Sequence, residues 1–284
     1  MPVKKKLQAL FGLKWNPFLP DVPTEALYRG GRLASFCERV ENLAHSGGFA
    51  LLSGDSGTGK SACLRLVSQT LAALPDVAVG ALTRPQASLF DFYRELGELF
   101  GIKLSPCNRW GGTKALRALW LEHVERTGIC PALLIDEAQE MRPEVLSEIR
   151  LVSSHLFDSR HLLVVVLAGD SRLGERLKTP ELAPIASRVR VRLTLDALQP
   201  GELRAVLAQL LAEAGNPRLV TEELSEALCE HAQGNLRALM NMAAELLEAG
   251  VKKDARKLDE KLFFELYGEL EAAGAGARAL RRRR

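Results

Sequence analysis

Eight residues, Gly54-Asp55-Ser56-Gly57-Thr58-Gly59-Lys60-Ser61, constrain this chain more than any other stretch. They read G-x-x-x-x-G-K-S, with a short apolar run at 49–53 before them and helically spaced apolar residues from Ala62 to Ala73 after them. Strand, glycine loop and helix in that order aim successive backbone N–H groups at one anion, and the helix start adds its positive dipole end. Glycine supplies the tight backbone that such a cradle needs. Lys60 can reach the terminal phosphates of a bound nucleotide, and the Ser61 hydroxyl can ligate magnesium.

The chain then alternates strands and helices. Apolar β-forming runs occur at 77–82, 131–135, 161–168 and 189–195. Between them lie helical patterns at 88–100 (capped by Ser88), 113–126 and 143–157, then short helices over 171–187 interrupted by Pro180 and Pro184. Such alternation predicts an α/β fold with a parallel sheet covered on both faces. From Pro200 the pattern is helical only, over about 201–214, 221–232, 235–249 and 255–272. The expected organisation is an N-terminal arm (1–30) kept irregular by Pro17, Pro20 and Pro23, an α/β nucleotide-binding domain (31–198), a helical domain (199–250), and a C-terminal helix with a basic tail (251–284).

The run 133–135 ends in Asp136-Glu137, seventy-five residues beyond Ser61. An acid at the carboxyl end of such a strand can hold magnesium, and its neighbour can orient and polarise an attacking water. Arginines supply charge stabilisation in phosphoryl transfer, and two are well placed by order in the chain: Arg188, just before the fifth strand, and Arg237, at a helix start.

Composition narrows the setting. The 284 residues carry 38 basic and 35 acidic side chains. Four lysines lie in 1–14 and five arginines in 278–284, both without an acid, so the body between is mildly acidic. Basic ends of this kind are solvated or contact polyanions. The five cysteines, Cys37, Cys63, Cys107, Cys130 and Cys229, show no C-x-x-C pairing, which points to a reducing cytoplasm. No apolar run reaches the length of a membrane helix, and no secretory signal core follows the first lysines.

Taken together, these stretches resemble an AAA+ ATPase: a P-loop NTPase with a five-stranded parallel sheet flanked by helices, followed by a small all-α lid. More narrowly the chain is similar to the ExeA-like group, which includes transposition regulators of the TnsC, TniB and MuB kind. The residues that carry this are 11–18 (FGLKWNPF), Leu133-Leu-Ile-Asp-Glu-Ala-Gln139, 143–151 and Gly234-Asn-Leu-Arg237. The resemblance implies ATP and Mg2+ as cofactors. Lys60 would bind the β/γ-phosphates, Ser61 and Asp136 would hold the metal, and Glu137 would be the catalytic base. Arg237 would be the lid arginine, and Arg188 (with Arg190 as a fallback) the finger that reaches a neighbouring subunit. The polar sensor after the fourth strand falls at Asp170 or Ser171, where an aspartate is electrostatically awkward beside phosphate. A trans-acting arginine implies a homo-oligomer, ring or helical filament. Lys103, Arg109, Lys114 and Arg117 would give sequence-tolerant contacts to double-stranded DNA. The function expected first is an ATP-dependent, cytoplasmic transposition regulator that assembles on target DNA and recruits a transposase. The alternative is an ExeA-type ATPase of secretion or envelope assembly, whose relatives typically continue into a membrane helix and wall-binding domain that this sequence does not show.

Overall fold

A computed structural model describes residues 3–103 and 109–267, the side chains of residues 3–6 and Arg109 excepted. Its elements in chain order are α1 (Val3–Phe11), α2 (Gly31–Leu43), β1 (Gly48–Gly54), α3 (Lys60–Ala72), β2 (Val79–Leu82), α4 (Leu89–Leu99), α5 (Arg109–Thr127) and β3 (Ala132–Ile135). There follow α6 (Pro143–Ser153), β4 (Ser154–His155), β5 (Arg160–His161), β6 (Val164–Gly169), α7 (Ser171–Leu177), α8 (Ala183–Ala186) and β7 (Val189–Leu195). Helices α9 (Pro200–Ala214), α10 (Glu222–Ala232) and α11 (Leu236–Lys252) come next, and residues 260–267 are helical. The chain divides into two units: Arg29–Asp196, and the described parts of Met1–Tyr28 with Ala197–Arg284.

The first unit is the expected parallel sheet, in the order β2-β3-β6-β1-β7. Successive side chains on a strand face opposite ways, so a sheet covered on both faces needs apolar residues at every position. Phe49 and Leu51 of β1 join Leu133, Ile135, Val165 and Leu167 in one buried cluster, with Phe92, Leu96, Leu116, Trp120 and Ile149 of α4–α6. The intervening residues Ala50, Leu52, Ala132, Leu134, Val164 and Val166 meet Phe36 and Val40 of α2 and Val67 and Leu71 of α3. Each fully buried aliphatic side chain is worth roughly 1.5–3 kcal/mol, so the sheet is the stability centre of this unit. At its β7 edge, Val191 and Leu193 point inward while Arg190 and Arg192 are exposed. Cys63, Cys130 and Cys229 are buried free thiols, and burial pushes Cys63 up to about 12 and Cys130 up to about 11. Cys107 lies outside the described residues.

Three sequence expectations are corrected here. The helix expected to reach Phe157 stops at Ser153, and residues 154–161 form a two-stranded antiparallel hairpin. Its turn places Leu156, Phe157 and Asp158 at positive φ. The apolar residues that seemed to extend the helical face instead lie on the surface, where Leu156 and Phe157 are exposed.

The second correction concerns the N-terminal arm. Val3–Phe11 is helical, because no proline falls between Pro2 and Pro17 and the residues between keep their backbone donors. Leu7, Phe11, Leu13 and Phe18 are buried with Leu203, Leu207, Leu211, Leu239 and Leu246 in the helical unit. Backbone bonds fix the segment: Lys14 N–H donates to Ala214 O at 2.9 Å, and the Asn216 side chain donates to Phe11 O at 2.8 Å. The arm is thus part of the helical core. The helix expected over 255–272 begins at 260, and its stretch past 267 lies outside the described residues, as does the arginine tail. Among the described residues, no helix is long and apolar enough to cross a membrane.

Replacing Phe11 by Ala is expected to cost about 3–5 kcal/mol in a denaturant melt of the helical unit. A cost below about 0.5 kcal/mol, the range for surface changes, would show the arm to be detachable.

Candidate active site

Three parallel strands end at one edge of the sheet. Ser53 pairs in register with Gly169, and Ile135 with Leu167, so the residues that follow β1, β3 and β6 emerge side by side. Ligands of open α/β sheets gather at such carboxyl ends.

The loop after β1 is built as its glycines predict. Gly57 and Gly59 have φ of +87° and +98°, which side-chain-bearing residues rarely adopt. Gly54 is needed for closeness: a Cβ there would lie 2.7 Å from Leu195 O and 2.8 Å from Thr58 Oγ1. Thr58 Oγ1 donates to Asp55 O at 2.9 Å and holds the loop's curvature. Lys60 is buried, and its ammonium donates to Gly54 O at 2.8 Å and Asp55 O at 2.9 Å. A phosphate oxygen is a stronger, charged acceptor for the same cation.

Ser61 Oγ donates to Asp136 Oδ2 at 2.8 Å, bringing the two proposed metal ligands together across the sheet's end. A hydroxyl and a carboxylate are oxygen donors of the kind Mg2+ takes alongside phosphates and waters, so the residues fit the ion. Asp136 Oδ1 accepts from Glu137 N–H at 2.9 Å, which orients the carboxylate. Glu137 itself is exposed and left-handed, with φ +51° and ψ +38°, a conformation that turns its side chain out of the strand direction. Gln139 Nε2 donates to Glu137 Oε2.

Of the two residues expected at the sensor position, Ser171 is exposed at the first position of α7. Asp170 caps α7, its side chain accepting from Arg172 N–H at 2.9 Å. Its carboxylate pairs with the Arg172 guanidinium at 2.7 Å, and Arg172 also reaches Glu140 at 2.8 Å. The hydrogen bond from Arg172 is the main cause that holds the Asp170 carboxyl below its usual range, with the charge of Lys60 adding to it. The awkward aspartate therefore comes with its own neutralising arginine, a partner two residues on that sequence reading passed over.

Arg188 is tied down locally. It donates to Pro184 O and pairs closely with Asp158 of the β4–β5 hairpin, while its buried Nε has no partner among the described residues. Burial, followed by the charge of Arg150, pulls its pKa below the usual arginine value. Arg190 is exposed and donates to Ser46 Oγ at 3.1 Å. Arg237 lies in the helical unit, exposed at the second position of α11, behind an Asn235 cap that accepts from Ala238 N–H. Of the basic residues expected to face DNA, Lys103 and Lys114 are exposed and Arg117 is half-buried, whereas the Arg109 side chain lies outside the described residues.

Comparison with known proteins agrees with this geometry. Residues 43–177 match the AAA domain family. General secretion pathway protein A of Aeromonas hydrophila is 28% identical over 236 residues, 82% of this chain, and this chain spans 42% of that protein's length. Among solved structures, Cdc6p from Pyrobaculum aerophilum superposes with a TM-score of 0.67 at 15% identity, covering 85% of this chain and 67% of its own. The Aeropyrum pernix ORC1 protein, solved in complex with DNA, gives 0.66 at 21% identity, covering 90% and 69%. The fold is that of an AAA+ P-loop NTPase, and with that domain and fold the chain is an ATPase.

Removing the Arg172 guanidinium leaves the Asp170 charge uncompensated near Lys60. Arg172→Ala is expected to weaken ATP binding a few-fold (about 2–10-fold, the scale of a solvent-screened charge pair), and the loss should shrink as salt is raised. Fluorescence titration with a labelled ATP analogue at two ionic strengths reads this directly.

Proposed function

We propose that this ATPase serves a secretion or envelope-assembly apparatus, with its nucleotide cycle governing association between copies of the chain. The observation that carries the reading is the similarity to General secretion pathway protein A, which runs over 236 residues and so extends well past the matched AAA domain. The transposition-regulator reading expected first from the sequence is less well supported by that similarity and becomes the second.

The chemistry follows from the residues at the sheet's end. Lys60 and the loop amides between Gly54 and Ser61 would grip the β- and γ-phosphates. Ser61 and Asp136 would hold Mg2+, which offsets phosphate charge when the nucleotide is bound. Glu137 would polarise a water for attack on the γ-phosphorus; the bond to the β-bridging oxygen breaks and ADP departs with that oxygen. Arg188 would stabilise the transferring phosphoryl group of a neighbouring copy, which requires its release from Asp158. The role of Arg237 at the γ-phosphate rests on the family resemblance.

One observation favours the second reading, a regulator that assembles on duplex DNA and recruits a transposase. On α4 and α5, Arg94 lies over the Phe90 ring at 4.9 Å and Lys114 over the Trp110 ring at 5.7 Å, and Phe90 and Trp110 are exposed. Basic groups interleaved with aromatic rings, with Lys103 and Arg117 nearby in sequence, suit a polyanion. The A. pernix ORC1 protein of the same fold is described in complex with DNA.

A gel shift with duplex DNA and a non-hydrolysable ATP analogue separates the two. The secretion reading expects no shift; a salt-sensitive, nucleotide-dependent shift abolished by Lys114→Ala with Arg117→Ala would install the second. For the shared chemistry, Glu137→Gln is expected to keep ATP affinity and lose at least about 100-fold in turnover, the usual weight of a general base. Turnover near the parent rate would remove Glu137 from its role.

A further inference from the structure

We infer that Gln139 is a positioning residue for ATP hydrolysis: its side-chain amide is a two-ended strut that sets the Glu137 carboxylate against the end of β6. The inference rests on the reading of Glu137 as the group that polarises water.

Gln139 is a buried polar side chain, 6% exposed, in the short 3-10 turn that follows Glu137. Its Oε1 accepts from the Asp170 backbone N–H at 3.2 Å. Its Nε2 donates to Glu137 Oε2. The orientation of the amide is fixed by chemistry: an N–H must meet an oxygen at one end, and a carboxylate must meet an N–H at the other, so a flipped amide would lose both bonds. Only an amide of this length offers an acceptor and a donor on one rigid plane.

The surroundings hold the strut in place. Arg176 donates to the carbonyls of Gln139 and Met141, pinning the turn from below. Gly169 leaves the room: a Cβ there would sit 2.6 Å from Gln139 Oε1. The turn's first residue, Ala138, is fully buried. Glu137 by contrast is exposed and in a left-handed conformation, so Gln139 is the contact that fixes its side-chain direction. One carboxylate oxygen accepts from the amide, and the other, with no hydrogen bond among the described residues, would face a water. The far end of the strut is Asp170, the residue after β6 whose carboxylate feels the charge of Lys60. The base is thereby registered to the strand end that borders the phosphate loop.

A purely structural role, satisfying the part-buried Asp170 amide, makes a different prediction from a positioning role, and Gln139→Glu separates them. Glutamate keeps the length and the acceptor for Asp170 but removes the donor to Glu137. Gln139→Met keeps the length and removes both ends. The full chain and these variants would be compared for kcat, KM, affinity for a fluorescent ATP analogue and melting temperature. The positioning role expects Gln139→Glu to lose about 30–100-fold in kcat, the cost of a misplaced reacting group, with KM and analogue affinity within about twofold and melting close to the parent. Gln139→Met should match it in kcat. Because both residues act as one unit, Gln139→Met combined with Glu137→Gln should be no slower than Glu137→Gln alone. If Gln139→Glu turns over within about twofold of the parent while Glu137→Gln is inactive, the strut has no catalytic part and this inference falls alone. If Glu137→Gln hydrolyses at the parent rate, the reading of Glu137 falls and takes the inference with it. A variant that raises KM with kcat intact would likewise overturn positioning in favour of a binding role.

Discussion

The hydrogen bond from Ser61 Oγ to Asp136 Oδ2, at 2.8 Å, is the contact on which the site depends. It joins residues seventy-five positions apart, and it exists because β1 and β3 both pair in parallel with β6 and end at the same edge. A parallel sheet of this order needs apolar side chains on both faces of its inner strands, which is why 49–52, 132–135 and 164–168 are continuous hydrophobic runs. Burial of those runs fixes the strand register, and the register places the hydroxyl beside the carboxylate. Stability and chemistry are thus set by the same strands.

Charge around this point is arranged in compensated pairs. Lys60 is held by two loop carbonyls, Asp170 is held by Arg172, and Arg188 is held by Asp158. The two ion pairs serve different ends. The Asp170–Arg172 pair offsets the charge of an acid that would otherwise repel a bound phosphate. The Asp158–Arg188 pair links the arginine proposed for phosphoryl transfer to a hairpin that carries an exposed Phe157. For Arg188 to act on another copy's nucleotide, that ion pair must open.

Much of this was legible in the sequence because the signals are local. The glycine-lysine loop has one backbone solution, and Asp136-Glu137 follows a strand too apolar to lie anywhere but inside the sheet. Ser88 as the cap of α4 was equally readable, and its hydroxyl does accept from Asp91 N–H. The failures share a cause too. The hairpin at 154–161 has no Asn-Gly or Gly-rich turn to announce it; Leu156 and Phe157 take positive φ against their own preference, and their apolar character imitates a continuing helix. The docking of Phe11 and Leu13 depends on partners some 200 residues away, such as Asn216 against Phe11 O, which no periodicity encodes. Gln139 belongs to the stretch that carries the family resemblance, but its two bonds form only once Glu137 and Asp170 are brought to either side of it.

The claim that one loop, one hydroxyl and one carboxylate form a single magnesium–nucleotide site is tested most directly by calorimetric titration of ATP with and without Mg2+. The parent chain should bind more tightly with the metal, Asp136→Ala should bind equally with and without it, and Lys60→Ala should show no binding in either case. Metal-dependent binding that survives in Asp136→Ala, or parent-like affinity in Lys60→Ala, would contradict the account.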